Sequence, residues 1–142
     1  MDRSRVSHQT IEQLRGRFAS CLGHKPHSAF FYLEDNPLIV LHVQSMIEDL
    51  GHTFVGSLGS FAELQACIDQ FEMDGALIDI DLTDGPTGPA AAAWLLERGI
   101  ASIFVTGQEQ SAAQYASVSL GIIGKPVVLQ QLAAKLALFV PH

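Results

Sequence analysis

Asp79 ends the apolar run Ala76-Leu77-Ile78, which places a carboxylate at the mouth of a buried segment. Desolvating an unpaired carboxylate is costly, so its position asks for partners. Other apolar runs supply them. Phe30-Phe31-Tyr32-Leu33 leads into Glu34-Asp35, Ser102-Ile103-Phe104-Val105 into Thr106, and Ile122-Ile123-Gly124 into Lys125-Pro126. Carboxylates brought together at such ends repel. Two charges about 4 Å apart cost on the order of 4 kcal/mol at an effective dielectric of roughly 20. A hard divalent cation relieves that, and Mg²⁺ suits an all-oxygen set of Glu34, Asp35 and Asp79. Asp79 then stays ionised and can attack a phosphoryl group, while Lys125 and Thr106 meet the charge on the transferring oxygens.

Each piece has an ordinary reading as well. Glu34-Asp35-Asn36-Pro37 suits a plain helix start, with Asn as N-cap and acids in the first turn. Thr106-Gly107 fits a loop and Lys125-Pro126 a turn. Asp79 is the hardest to explain away, and all the pieces in this order point to phosphoryl chemistry.

These residues need elements that bring them to one place. Short β-rich runs at 29–33, 53–57, 76–80, 101–105 and 121–124 alternate with helical patterns at 37–50, 61–72, 88–98, 109–118 and 127–139. Leu38, Leu41, Val43, Met46, Ile47 and Leu50 give the first of these helices an apolar stripe near 3.6-residue spacing. Strand–helix repeats predict a parallel α/β sheet covered on both faces, with ligands bound beyond the carboxyl ends of its strands. Before this scheme, Ile11, Leu14, Phe18 and Leu22 predict an extra amphipathic helix at about 8–22, and residues 1–27 as a helix and linker distinct from 28–142.

Composition bounds the function. The chain has 142 residues, 48% of them hydrophobic and 16% charged, which fits one globular domain. No apolar run approaches the roughly 20 residues of a membrane span. Residues 1–27 hold five basic against two acidic side chains, whereas 28–142 hold three against thirteen. So acidic a body argues against nucleic acid as partner. Cys21 and Cys67 stand far apart and the histidines are scattered, which fits a reducing cytoplasm and no metal site built on Cys or His.

The ordered set Glu34-Asp35, Asp79, Thr106 and Lys125-Pro126 resembles the receiver domain of two-component response regulators, over about residues 28–140. Asp81 to Gly88 is similar to the loop that follows the phosphoacceptor in that family. The resemblance implies a three-layer, doubly wound flavodoxin-like fold with strand order 2-1-3-4-5. It implies that Asp79 is the phosphoacceptor, with Thr106 and Lys125 as its catalytic companions. Mg²⁺ would be held by Asp35, Asp79 and the backbone carbonyl of Asp81, with Glu34 acting through water. Asp81 and Gln108 would flank the water that later removes the phosphoryl group.

Two positions depart from the family pattern. Ile122 stands where receivers carry an aromatic that swings inward on phosphorylation, and Val127 stands where an aromatic often follows Lys-Pro. Phe104-Val105-Thr106-Gly107 is similar to a signature of stand-alone receivers that also lack the first aromatic. The implied partners are a histidine kinase or histidine phosphotransfer protein and a downstream target protein, with a homodimer possible. Nothing follows residue 142, so no output domain is expected, and catalysis is confined to the domain's own phosphorylation and dephosphorylation. Two other readings compete. Asp79-Ile80-Asp81-Leu82-Thr83 matches the Asp-x-Asp-x-Thr of haloacid-dehalogenase-type phosphatases, but there the motif opens the fold and the metal-binding acids follow the lysine. A receiver-like interaction module that is never phosphorylated would have no use for the intact set of acids, Thr106 and Lys125.

Overall fold

Successive side chains of β1 (Ala29–Leu33) point to opposite faces of a sheet, and both faces are buried. Phe30 and Tyr32 enter one apolar cluster, Phe31 and Leu33 another, each fully excluded from solvent. A strand buried on both sides must lie inside the sheet with a neighbour on each side, and so it does. The computed structural model describes residues 28–139 and shows five parallel strands in the order β2-β1-β3-β4-β5. The others are β2 (Thr53–Leu58), β3 (Gly75–Asp79), β4 (Ala101–Thr106) and β5 (Ile122–Gly124). The fold class and strand order therefore agree with the sequence expectation. The helix expected at 8–22 and the boundary at residue 27 lie outside the described residues.

Among the described residues, five α-helices cover the sheet: α1 (Pro37–Asp49), α2 (Phe61–Cys67), α3 (Gly88–Glu97), α4 (Glu109–Ala112) and α5 (Leu129–Leu136). Val43, Met46 and Ile47 of α1 and Leu132 and Leu136 of α5 fill one layer with Phe30, Tyr32, Leu77, Ile103, Val105 and Ile123. Leu64 of α2 and Ala91, Ala92 and Leu95 of α3 fill the other with Phe31, Leu33, Ala76, Ile78 and Phe104. The Asn36 side chain accepts from Leu38 N at 3.0 Å, and Pro37 takes the first helical position, so α1 starts directly after the acid pair.

Three helices differ from the periodicity reading. The helix expected over 61–72 ends at Cys67, and a 3₁₀ turn (Ile68–Gln70) carries Phe71 back onto Phe31. The one expected over 109–118 has a single α turn, then 3₁₀ geometry over Ala113–Val118 with Tyr115 at φ −103°, ψ 19°. Its inward positions Ala112, Tyr115 and Val118 recur every third residue, the period of a 3₁₀ helix. The one expected over 127–139 begins at Leu129 and passes into a 3₁₀ turn (Ala137–Phe139). On α1, Leu38 and Leu41 are 77% and 62% exposed, outside the buried stripe to which their spacing assigned them.

Gly88 opens α3 against the backbone that follows β3, donating its N–H to Ile80 O at 3.0 Å. A Cβ there would stand 2.2 Å from Asp79 O and 2.6 Å from the Ile80 Cα, and backbone cannot step aside as a side chain can. Gly88→Ala is therefore expected to destabilise the domain by about 1–3 kcal/mol in urea unfolding, as overpacking does elsewhere. Wild-type stability for this variant would contradict the close approach.

Candidate functional site

Alternation along the strands decides which side chains meet. Glu34 continues the face of Phe30 and Tyr32, Asp79 that of Leu77, and Lys125 that of Ile123, so all three emerge on one side of the sheet at its carboxyl edge. Lys125 Nζ lies 2.8 Å from Glu34 Oε1 and 3.1 Å from Asp79 Oδ2, bridging the two carboxylates. Glu34 and Asp79 are buried at 4% and 8% exposure. Glu34 also accepts from Tyr32 Oη at 3.1 Å and from Asn36 N at 3.1 Å. Asp79 Oδ1 accepts from Asp81 N at 3.4 Å, so its second donor is a weak one.

Thr106 is buried one residue beyond Val105, the register partner of Asp79. Its hydroxyl oxygen accepts from Gln108 N at 3.0 Å, and its carbonyl accepts from Lys125 N at 2.9 Å. The Lys125–Pro126 peptide is cis. The sequence-predicted residues thus converge at the carboxyl ends of β1, β3, β4 and β5. The Asp81 and Gln108 side chains stand exposed, and half-buried Ile122 pairs with Phe104 in the sheet, packed in the cluster that also holds Tyr115.

Three residues of the site escaped the sequence reading. Tyr32 read as one more apolar strand residue, although its i, i+2 spacing to Glu34 places both side chains on one face of the strand, and that was the signal that could have found the pair. Thr83 donates its hydroxyl to Asp35 Oδ2 at 3.3 Å and its N–H to Gly59 O at 3.0 Å. Asp84 accepts from Phe61 N at 3.3 Å, Ala62 N at 3.1 Å and Thr87 Oγ1 at 2.7 Å. The loop after Asp79 is therefore tied to the start of α2. Those partners lie more than twenty residues away in the chain, and no spacing rule reaches them.

No family model and no curated protein matches the chain. Solved structures do. It is similar to the signal receiver domain of a modulated diguanylate cyclase from Desulfovibrio desulfuricans, with 26% identity and a TM-score of 0.70 over 78% of this chain and 91% of that one. The receiver domain of the TMAO respiratory system response regulator TorR gives 26% identity and a TM-score of 0.67 over 79% and 94%. This is the response regulator receiver fold. Another receiver, from a Pseudomonas aeruginosa sensor histidine kinase, shares 17% identity and a TM-score of 0.67 over 80% and 97%, and holds a magnesium ion in its active-site cleft.

On this fold, Glu34, Asp35 and Asp79 each offer a carboxylate oxygen, all within 4.8 Å of one another. An all-oxygen, anionic set with one exposed member fits a hard, partly hydrated divalent ion such as Mg²⁺. The electrostatics are uneven. Burial and the nearby Glu34 charge push the Asp79 carboxyl up to about 6, more than Lys125 can offset. Burial acts on Glu34 too, but Lys125, the Asn36 N–H and the Tyr32 hydroxyl outweigh it and hold Glu34 below the ordinary range. Burial works against the Lys125 ammonium, yet its bonds to Glu34 and Asp79 keep its pKa raised. Glu34 is thus the settled counter-ion, and Asp79 carries the charge that costs the fold.

A carboxyl with a raised pKa favours the fold when protonated, and that contribution is lost as pH rises from the unfolded value of 3.8 through about 6. Asp79→Asn should therefore raise the melting temperature of metal-free protein at neutral pH. The gain should shrink as pH falls through about 6 and vanish near 3.8. Calorimetry across that range checks it; a pH-independent difference would mean that the Asp79 charge is not under strain.

Proposed function

We propose that this chain is a phosphoacceptor module of a two-component or phosphorelay pathway, taking a phosphoryl group on Asp79 from a histidine kinase or histidine phosphotransfer protein in the cytoplasm. The observation that carries this reading is Lys125 Nζ bridging Glu34 and Asp79 at the end of the central strand, with Asp35 beside them. In the transfer, an Asp79 carboxylate oxygen attacks phosphorus, the P–N bond to the donor imidazole breaks, and the freed imidazole retains the electron pair. Bound Mg²⁺, held by Asp35, Asp79 and the Asp81 carbonyl with Glu34 acting through water, would supply a further positive charge to the phosphoryl oxygens.

Lys125 can turn from Asp79 Oδ2 to a phosphoryl oxygen while keeping Glu34 as its anchor. Thr106 accepts from Gln108 N through its oxygen, which leaves its hydroxyl hydrogen free to donate to the same group. The Asp81 and Gln108 side chains, both exposed at the mouth, can hydrogen-bond the water that hydrolyses the acyl phosphate, which gives a moderate lifetime. No activity on other substrates is needed; the phosphorylated domain signals by protein contact.

Acetyl phosphate with Mg²⁺ should label wild type, and Asp79→Asn should lose at least nine-tenths of that acid-labile label on removal of the nucleophile. Equal labelling of the variant would refute the assignment. A protein donor needs a surface as well. Leu38 and Leu41 present exposed apolar side chains in the first turns of α1, directly after the acid pair, and Leu41 lines an open cleft of about 530 Å³ together with Glu34, Asp35, Val40 and Gln44. Leu38→Glu with Leu41→Glu should slow transfer from a phosphorylated histidine protein by roughly ten-fold or more, the usual scale for hot-spot loss. Labelling by acetyl phosphate should stay at the wild-type rate; parallel loss from both donors would place the defect in the site rather than the surface.

A further inference from the structure

We infer that Tyr32 is a positioning residue for Lys125, acting through Glu34; the inference rests on the phosphoacceptor reading above. Tyr32 sits in β1 with no exposed surface, inside the cluster of Phe30, Leu77, Ile103, Val105 and Ile123. Phenylalanine would fill that space equally well, as the neighbouring Phe30 and Phe31 show. What the tyrosine adds is one hydrogen-bond donor at the bottom of the site. Its hydroxyl reaches Glu34 Oε1 at 3.1 Å, the same oxygen that accepts from Lys125 Nζ at 2.8 Å. The backbone N–H of Asn36 holds the other oxygen at 3.1 Å.

Two fixed donors at opposite ends of one carboxylate set its plane. Oε1 then presents its remaining lone pair toward the ammonium, and the ammonium faces Asp79 at 3.1 Å. This matters most during transfer, when Lys125 exchanges its bond to Asp79 for one to the phosphoryl group. Glu34 is then the partner that remains, and a carboxylate free to turn would let the long lysine side chain wander. Burial and the charge of Glu34 keep the Tyr32 phenol protonated throughout, so the donor is permanent. The effect should fall on the chemical step and spare the metal, because the Tyr32 hydroxyl is bound to the lysine-facing oxygen of Glu34 and Asp35 is held separately by Thr83.

The test compares wild type, Tyr32→Phe and, as control, Tyr115→Phe, since the protein has only two tyrosines. First, the ¹⁵N-resolved signal of the Lys125 ammonium is recorded in metal-free protein without any phosphodonor. It should be narrow in wild type and the control, and broadened or shifted in Tyr32→Phe. Because no phosphoryl transfer is involved, this result is independent of whether Asp79 accepts a phosphoryl group. Second, the labelling rate with acetyl phosphate is followed against Mg²⁺ concentration. Tyr32→Phe should lower the maximal rate roughly 10–100-fold, the scale of a hydrogen bond to a charged group, while the half-saturating Mg²⁺ stays within about two-fold. An unchanged Lys125 signal overturns the inference. So does an unchanged maximal rate, or a loss confined to Mg²⁺ affinity.

Discussion

The site turns on the sharing of one ammonium between two carboxylates of different standing. Lys125 bridges Glu34 and Asp79, yet the two acids do not receive equal support. Glu34 collects donors from Tyr32, Asn36 and Lys125, whereas Asp79 has Lys125 and a long bond from Asp81 N. Burial alone would disfavour both charges. The difference in donors resolves the competition. Glu34 anchors the lysine, and Asp79 remains the under-compensated carboxylate, whose charge a nearby cation would relieve. A residue held ionised at a cost is a good nucleophile for a highly charged substrate once positive charge is supplied.

Everything else in the fold serves to hold that inequality in place. The parallel register sets Asp79 beside Val105, and thus one step from Thr106, while Lys125 N bonds the Thr106 carbonyl to fix where the lysine leaves β5. The loop after Asp79 is clamped between α2 and α3: Asp84 caps the start of α2, Thr83 braces Asp35, and Gly88 lets α3 begin against the Asp79 carbonyl. Such bracing limits how far the carboxylates can separate to relieve their repulsion. The segment after Thr106 is built differently, with a single α turn and a run of 3₁₀ geometry, and Gln108 N on the Thr106 hydroxyl ties its start to the site.

What was legible in the sequence follows from the range of each interaction. Apolar runs that end in acid, hydroxyl or lysine marked four of the five strands and the site residues at their ends, because burial and strand alternation act locally, while β2 showed only as a β-rich run. The Asn36-Pro37 start of α1 was equally local. Helix extents were less legible at α2, α4 and α5, where a three-residue spacing or a returning aromatic such as Phe71 converts the last turns to 3₁₀. Leu38 and Leu41 obeyed helical spacing but lie in the first turns of α1, outside its buried stripe. Thr83 and Asp84 were invisible because their roles depend on partners that only the folded chain brings near, whereas Tyr32 stands two residues before Glu34 on the same strand face and was passed over as an apolar position.

The most direct test is chemical. Borohydride reduces an aspartyl phosphate to homoserine, so brief treatment of the protein after exposure to acetyl phosphate and Mg²⁺, followed by peptide mass spectrometry, marks the phosphorylated position. Homoserine at position 79, dependent on Mg²⁺ and absent elsewhere, is the expected result. An unmodified Asp79 in protein that has taken up the phosphoryl group, or homoserine at Asp35 or Asp81 in its place, would contradict the account.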